Sequence, residues 1–153
     1  MASYSRFDPT VSIEAWVYNP GLSYEETAVS WGLRGVDGQL TSLNSGAAWW
    51  GAVQHWGPTD MTWGSLPSAG RWHHLAYTND GFTQRVFADG TETNSESTAG
   101  LISTSPAKVT VAAQNFLDGA LALQTEWIGR GSLYISRIRI HDGALTPLEV
   151  LSN

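Results

Sequence analysis

Residues 70–90 read GRWHHLAYTNDGFTQRVFADG and predict two antiparallel strands together with the turns that bound them. Residues 72–78 and 85–88 are short runs rich in aromatic and β-branched side chains, which is the composition of strands. The triplet Asn-Asp-Gly at 79–81 separates the runs, and Asp-Gly at 89–90 follows the second one. Such pairs supply the positive φ angles that tight turns require. The segment therefore predicts β-structure.

The same alternation of short runs and glycine-containing turns extends over the rest of the chain. Residues 12–18 alternate, so that the apolar residues at 13, 15 and 17 share one face of a strand. Residues 108–113 and 132–141 are further predicted strands. Helical periodicity is absent before the last ten residues. We therefore expect an all-β fold.

The end of the chain carries the one helix signal. Thr146 can act as a hydroxyl N-cap, Pro147 suits the first helical position, and Glu149 completes a capping box. These residues predict a short helical turn through Leu151. No internal repeat or low-complexity linker divides residues 1–153, and this length suits a single domain.

Composition narrows the range of partners. Charged residues make up 14% of the chain, the net charge is −6, and Lys108 is the one lysine. Phosphate binding needs clustered Lys and Arg, so we exclude nucleic acid. No apolar stretch approaches the roughly 18 residues of a membrane span, so we expect no membrane insertion. There is no cysteine, which removes disulfides and thiolate chemistry. Low charge with eight tryptophans suits a neutral, hydroxyl-rich partner.

Five segments, taken in order, resemble the laminin-G-like branch of the concanavalin-A-like lectin/glucanase superfamily. They are IEAWV at 13–17, VSWG at 29–32, GRWHHLAYTNDG at 70–81, VFADG at 86–90 and IRIHDGALT at 138–146. The resemblance covers most of the chain from residue 12 onward. It implies a two-sheet antiparallel jelly-roll sandwich. Lectins, carbohydrate-binding modules, adhesion domains and glycosidases share this fold, so the resemblance leaves the ligand open.

The N-terminal edge departs from that family. Its domains usually carry one or two further strands before the segment at 13–17, and these strands pair with the closing strand. Either residues 3–9 supply a short substitute, or the edge beside residues 135–140 is open or covered by a second copy in a homodimer. No apolar leader follows Met1. We expect an excised domain of a larger secreted bacterial protein, with a cytoplasmic chain as the alternative.

Residues 49–63 are the most unusual part of the sequence, because four of the eight tryptophans lie there. An indole offers a large rigid surface to the C–H face of a sugar ring, and polar side chains can bind the rim hydroxyls. Gln54 is one such neighbour. The predicted ligand-binding residues are Trp49, Trp50, His55, Trp56, Asp60 and Trp63. A fold-supporting role explains the same residues equally well, since half of the tryptophans on an alternating strand point into the core.

The sequence supports a metal site less strongly than it supports a sugar-binding site. His73 and His74 are adjacent, and adjacent strand residues point to opposite faces, so we do not expect them to share an ion. His141 lies beside a turn and is expected to be exposed. Domains of the resembled family often hold calcium through loop oxygens, which leaves calcium open. The candidate oxygens belong to Asp8, Asp37, Asp60, Asn115 and Asp118, and no dense acidic run selects among them.

The carboxylates do not form a catalytic pattern. Glucanases of the resembled fold carry an E-x-D-x-x-E-like motif on one strand, and this chain lacks it. Glu14 is expected to point out of the core, Glu25 and Glu26 are adjacent, and Glu92 and Glu96 lie in a stretch that resembles a solvated loop. No Gly-x-Ser-x-Gly elbow is present. We therefore expect a domain that is not an enzyme.

The sequence is compatible with three functions, in order of preference. The first is a non-catalytic carbohydrate-binding module that recognises a polysaccharide, with cellulose-type β-glucan favoured, through surface tryptophans. The second is a protein-binding adhesion or scaffolding domain. The third is a glycoside hydrolase or lyase on the same fold.

Overall fold

The structure is a computed structural model and describes residues 10–22, 26–46, 51–98, 102, 104, 108–115, 121–122 and 132–153. Within these residues the chain forms eleven strands and one helix. The strands are β1 (Thr10–Tyr18), β2 (Glu26–Gly32), β3 (Leu40–Ser45), β4 (Val53–Gln54), β5 (Trp72–Asp80), β6 (Thr83–Ala88), β7 (Thr91–Ser97), β8 (Thr110–Val111), β9 (Gln114–Asn115), β10 (Leu121–Ala122) and β11 (Tyr134–Asp142), and the helix is α1 (Pro147–Ser152).

The larger sheet has five antiparallel strands in the order β11-β1-β5-β6-β7. The hairpin predicted from residues 70–90 is present as β5 and β6, with Tyr77 opposite Val86. The next connection, between β6 and β7, is the two-residue turn Asp89-Gly90, with φ angles of 52° and 77°. Two successive positive φ angles match the twist of the strands that such a turn joins.

A four-stranded sheet in the order β4-β3-β2-β8 faces the larger sheet, and β9 pairs with β10 in a short ribbon. The hydrophobic core lies between the two large sheets. The predicted alternation of β1 is confirmed, since residues 13, 15 and 17 are fully buried. The core is completed by Val29, Leu43 and Val53 from the smaller sheet and by Leu75, Tyr77 and Val86 from the larger one. This is the expected two-sheet antiparallel sandwich.

Two predicted elements differ from the structure. The stretch with Glu92 and Glu96 is strand β7 and not a loop. It is an edge strand with exposed and half-buried side chains, and this explains its polar composition. The strand predicted at 108–113 is reduced to Thr110–Val111. Ala112 has a φ of 57°, and the Thr110 hydroxyl donates to the Ala113 carbonyl at 2.9 Å, so the backbone turns there.

The C-terminal helix is confirmed, including its capping box. Thr146 accepts from the Glu149 amide, and the Glu149 carboxylate accepts from the Thr146 amide. Val150 packs against Ala76 and Phe87 on the side of the larger sheet that points away from the core. We call that side the outer face. The helix therefore covers one part of the outer face.

The closing strand β11 pairs directly with β1 along Val11–Tyr18. Residues 3–9 lie outside the described residues, so their role at this edge and the homodimer stay predictions. Among the residues that the structure describes, no helix has the length and apolar character needed to cross a membrane.

Gly32 ends β2 at a position that leaves no room for a side chain. Its φ is +90°, and a Cβ atom there would lie 2.1 Å from the carbonyl oxygen of Gln39. That carbonyl accepts from the Leu33 amide at 2.7 Å and so closes the connection between β2 and β3. Gly35, in the same connection, has a φ of +92° but open space around it.

We expect Gly32→Ala to destabilise the protein more than Gly35→Ala. Both changes force alanine into a left-handed conformation, at about 1–2 kcal/mol. Gly32→Ala also pushes a Cβ into the Gln39 carbonyl, which adds roughly 1–3 kcal/mol. Urea unfolding followed by tryptophan fluorescence measures both. Equal losses in the two variants would contradict the close contact.

Candidate functional site

The segment predicted to bind ligand is only partly described. Trp49 and Trp50 lie outside the described residues. The remainder begins with β4, whose Val53 also bridges to Met61, so that residues 54–60 form a closed loop at the end of the smaller sheet. The ligand-binding role of this segment stays a prediction, and the burial of its members determines which of them a ligand can reach.

Trp63 is a core residue in this structure. Its side chain is only 8% exposed and packs in the cluster between the two sheets. The indole N–H donates to the Gly51 carbonyl at 3.2 Å, so its one polar atom is satisfied internally. Trp63 therefore presents no ring face to a ligand at the surface.

His55 is fully buried. Its Nδ1 lies 2.9 Å from the Leu40 carbonyl oxygen, and its Nε2 lies 3.1 Å from the Gln84 side-chain oxygen and 3.2 Å from the Tyr77 hydroxyl. A neutral ring carries one N–H, which donates either to the Leu40 carbonyl oxygen or to the Gln84 side-chain oxygen. Burial lowers the pKa of His55 to about 4, so the ring is neutral at pH 7. His55 thus links β3, β5 and β6 from inside the sandwich.

Trp56 and Asp60 lie in the loop between His55 and Met61. Trp56 is half-buried, has a φ of 61°, and lies under the Arg34 guanidinium at 4.6 Å from the ring centroid. The Asp60 carboxylate accepts from the amides of His55 at 2.6 Å and Gly57 at 3.3 Å. Burial raises the pKa of Asp60, and these amide donors oppose the rise. Asp60 therefore holds the loop that keeps Trp56 in its left-handed conformation.

A buried polar network occupies the side of the smaller sheet that points away from the core. The Gln114 side-chain amide donates to Thr27 at 2.9 Å and to Gln54 at 3.1 Å. Ser42 is a further partner, at 3.4 Å. Gln54 is thus part of an internal network that joins β2, β3, β4 and β9.

The outer face of the larger sheet carries four aromatic side chains on three neighbouring strands. Tyr18 of β1 lies opposite Tyr134 of β11 and Trp72 of β5, with ring centroids 5.7 Å and 5.9 Å apart. Trp16 lies two residues before Tyr18 on the same side. Exposure is 63% for Tyr134, 45% for Trp72 and 38% for Trp16. We call these four residues the aromatic face.

Polar groups border the aromatic face. Arg137 lies opposite Trp16 on β11, and His74 lies opposite it on β5, with the two rings 5.4 Å apart. A shallow depression is lined by Trp16, His74, Arg137, Arg139 and Glu14. A β-bulge makes this arrangement possible. Residue 137 pairs with residue 16 but residue 135 pairs with residue 17, so Ser136 is an extra residue in β11.

Glu14 lies on the outer face two residues before Trp16 in β1, and it is only 2% exposed. One carboxylate oxygen lies 3.1 Å from His74 Nε2, and the other lies 2.7 Å from His141 Nε2. Arg139 and the side-chain amide of Asn153 are also close to that second oxygen, at 3.9 Å and 3.4 Å. The buried carboxylate is therefore surrounded by side-chain nitrogens of His74, His141, Arg139 and Asn153, of which His141 and Asn153 form hydrogen bonds with it. The expectation that His141 is simply exposed is wrong, because its ring binds this carboxylate.

The signal for the aromatic face was present in the sequence. Residues 13, 15 and 17 face the core, so Trp16 and Tyr18 had to face outward. Pairing β1 with β5 would have added Trp72. Pairing β1 with β11 would not have added Tyr134 correctly, because the bulge at Ser136 shifts the register.

His73 and His74 do not converge on one ion. His73 binds Asp89 at 2.8 Å and Ser68, whereas His74 faces Glu14 on the other side of β5, as the alternation predicts. Asp8 and Asp118 lie outside the described residues. Within the described ranges, no three His, Asp or Glu side chains form a group that could hold a metal ion. Calcium binding by loop oxygens stays a prediction.

Comparison with known proteins identifies a family for most of the chain. The family model described as the concanavalin A-like lectin/glucanases superfamily matches residues 4–151. No curated protein sequence is significantly similar to the chain.

Solved structures share the fold at low identity. Domain 4 of AbnA, a GH43 extracellular arabinanase from Geobacillus stearothermophilus in complex with arabinotriose, has a TM-score of 0.56 at 21% identity, over 94% of this chain and 66% of that one. A candidate carbohydrate binding protein from Bacteroides ovatus has a TM-score of 0.69 at 18% identity, over 98% and 42%.

A third similar structure is the binding domain of botulinum neurotoxin DC in complex with rat synaptotagmin II, with a TM-score of 0.59 at 11% identity, over 97% and 36%. At these identities the likeness concerns the fold. The chain spans from about a third to two thirds of the length of these three solved chains.

We expect His55 to make the protein less stable in acid. Its pKa is about 4 in the folded protein against an ordinary value of 6.5, so the unfolded chain binds the proton first. The neutral ring's contribution is complete above about pH 6.5 and falls by roughly 3 kcal/mol as the pH decreases to about 4. Urea unfolding of wild type and His55→Gln across this range measures the difference. An unchanged pH slope in the variant would contradict the assignment.

Proposed function

Because this chain belongs to the concanavalin A-like lectin/glucanases superfamily, we propose that it is a non-catalytic carbohydrate-binding domain that holds a polysaccharide on its aromatic face. The observation that carries the proposal is the row of neighbouring rings on β11, β1 and β5. Tyr134 and Trp72 flank Tyr18 in that row, and both are about half-exposed or more.

The chemistry of the aromatic face suits a sugar chain. Pyranose rings present C–H groups that pack on aromatic surfaces, and their hydroxyls need donors and acceptors at the rim. Neighbouring strands lie about 4.8 Å apart, so rings on three strands form a surface wide enough for more than one sugar unit. The Tyr18 and Tyr134 hydroxyls and the Trp72 indole N–H supply polar groups at this surface.

Little ordering is required when a ligand binds. The rings project from paired strands of a five-stranded sheet and contact one another, so their positions are largely set before the ligand arrives. Preorganised side chains lower the entropy cost of association. Glu14, by contrast, is buried, with only 2% of its surface exposed. This supports binding over catalysis.

The ligand of a similar structure supports the same class of function. Arabinotriose is bound in the structure of the arabinanase domain. We extend the proposal to a secreted or extracellular protein, with cellulose-type β-glucan as the first ligand to test. The tryptophan-rich segment with Trp56 is the alternative surface on the same molecule.

We expect Trp16→Ala and Trp72→Ala each to weaken polysaccharide binding about fivefold or more, because aromatic residues at the centre of a binding surface typically contribute more than about 1 kcal/mol. Affinity electrophoresis and pull-down with cellulose, xylan and mixed-linkage β-glucan provide the measurement. Phe82→Ala is the matched control, since Phe82 is an aromatic residue exposed at 77% in the turn between β5 and β6.

Circular dichroism establishes that each variant is folded. Loss of binding in Trp56→Ala, with Trp16→Ala unaffected, would move the site to the tryptophan-rich segment. Failure of every polysaccharide to bind wild type would instead favour a protein-binding adhesion domain.

A further inference from the structure

The aromatic face carries an arginine that has no ionic partner among the described residues. Arg137 is exposed and lies opposite Trp16 in the β1–β11 pairing. The arginines elsewhere on the larger sheet are compensated. Arg71 pairs with Asp89 at 2.9 Å, and Arg85 pairs with Asp80 at 3.1 Å. Arg137 therefore differs from Arg71 and Arg85, because no carboxylate of the described residues pairs with its guanidinium and a ligand can bind it.

The depression beside Trp16 has a local positive charge. Arg137 and Arg139 line it, and Glu14 is the carboxylate that faces them. Glu14 is buried and is shared between His74, His141 and Arg139. Among the described residues that line the depression, two guanidinium groups against one carboxylate leave a net positive charge even when both histidines are neutral. The chain as a whole has a net charge of −6. Within the part of the chain that the structure describes, the depression beside the aromatic face is thus a cationic patch on an acidic protein.

This charge distribution favours one kind of binding partner for the aromatic face over the others. A twofold contact between two copies would bring the same cationic patch, including Arg137, against itself, and like charges at an interface oppose association. A neutral sugar chain would leave the guanidinium with only weak hydroxyl partners. A carboxylate matches the fork of a guanidinium and binds it through two charge-assisted hydrogen bonds.

We propose that the aromatic face selects β-linked polysaccharides that carry uronic acid carboxylates, with Arg137 binding a carboxylate beside the sugar ring that packs on Trp16. This inference rests on the proposed function, because it concerns the same surface. The β-bulge at Ser136 places Arg137 on the same side of β11 as Tyr134. The carboxylate of the ligand would therefore bind beside the row of rings.

The test uses two soluble ligands that differ only in charge. They are cellohexaose and its counterpart in which each C6 alcohol is oxidised to a carboxylate. Isothermal titration calorimetry compares wild type, Arg137→Gln, Trp16→Ala and the matched control Arg85→Gln, which removes the same charge from the same face of the sheet at β6. Each titration is repeated at low and high salt.

We expect wild type to bind the oxidised hexaose at least about tenfold more tightly than cellohexaose at low salt, because charge-assisted hydrogen bonds are stronger than neutral ones and surface charges are screened by salt. Arg137→Gln should abolish this preference and leave cellohexaose binding within about threefold of wild type. Arg85→Gln should keep the preference. Trp16→Ala should weaken both ligands.

Other outcomes overturn the proposal in distinguishable ways. Equal binding of the two hexaoses, or a preference that survives Arg137→Gln, refutes the carboxylate selection and leaves carbohydrate binding in place. Loss of cellohexaose binding in Arg137→Gln to the same extent as oxidised hexaose refutes it too, because Arg137 would then act on the neutral ring. Absence of binding by either ligand refutes the proposed function together with this inference.

Discussion

The organisation of this protein depends on the hydrogen bonding of β1 along both of its edges. On one side β1 pairs with the closing strand β11, and on the other it pairs with β5. This double pairing joins the beginning of the described chain to its end and its middle. It fixes at once which side chains enter the core and which ones meet on the outer face. Ile13 and Trp16 belong to the same strand, and the alternation of that strand assigns one to stability and the other to the candidate site.

The sequence was sufficient for the parts of the fold that local rules control. Alternation in β1, the hairpin around residues 79–81 and the capping box at Thr146 all follow from side-chain period, turn chemistry and capping, and the structure contains each of them. Local sequence rules gave the wrong prediction where the pairing of strands determines the structure. Strand β7 is polar because it is an edge, and its polarity resembled that of a loop. The strand at 108–113 is cut short by the left-handed Ala112, which no local signal in the sequence marks.

The candidate site could be predicted only in kind. An aromatic surface was expected from tryptophan density at 49–63, but density along the chain does not distinguish exposed rings from buried ones. Trp63 fills the core, and His55 is an internal link between strands. The aromatic face is instead assembled from residues that are distant in sequence, since Trp16 and Tyr134 come together only through strand register. Register depends on long-range contacts, and a single unaligned sequence contains no direct record of them.

The bulge at Ser136 has a consequence for how such a surface can change over evolution. Side chains alternate along a strand, so Tyr134 and Arg137, three residues apart, would face opposite sides of a regular strand; the extra residue places both on one side. The position of Arg137 relative to the row of rings therefore depends on the number of residues in β11 and not on side-chain chemistry. Substitutions at either position adjust the ligand gradually. An insertion or deletion of one residue in β11 would instead reverse which side chains face the core and which face outward over half of the strand. A single mutation of this kind could therefore change the ligand specificity.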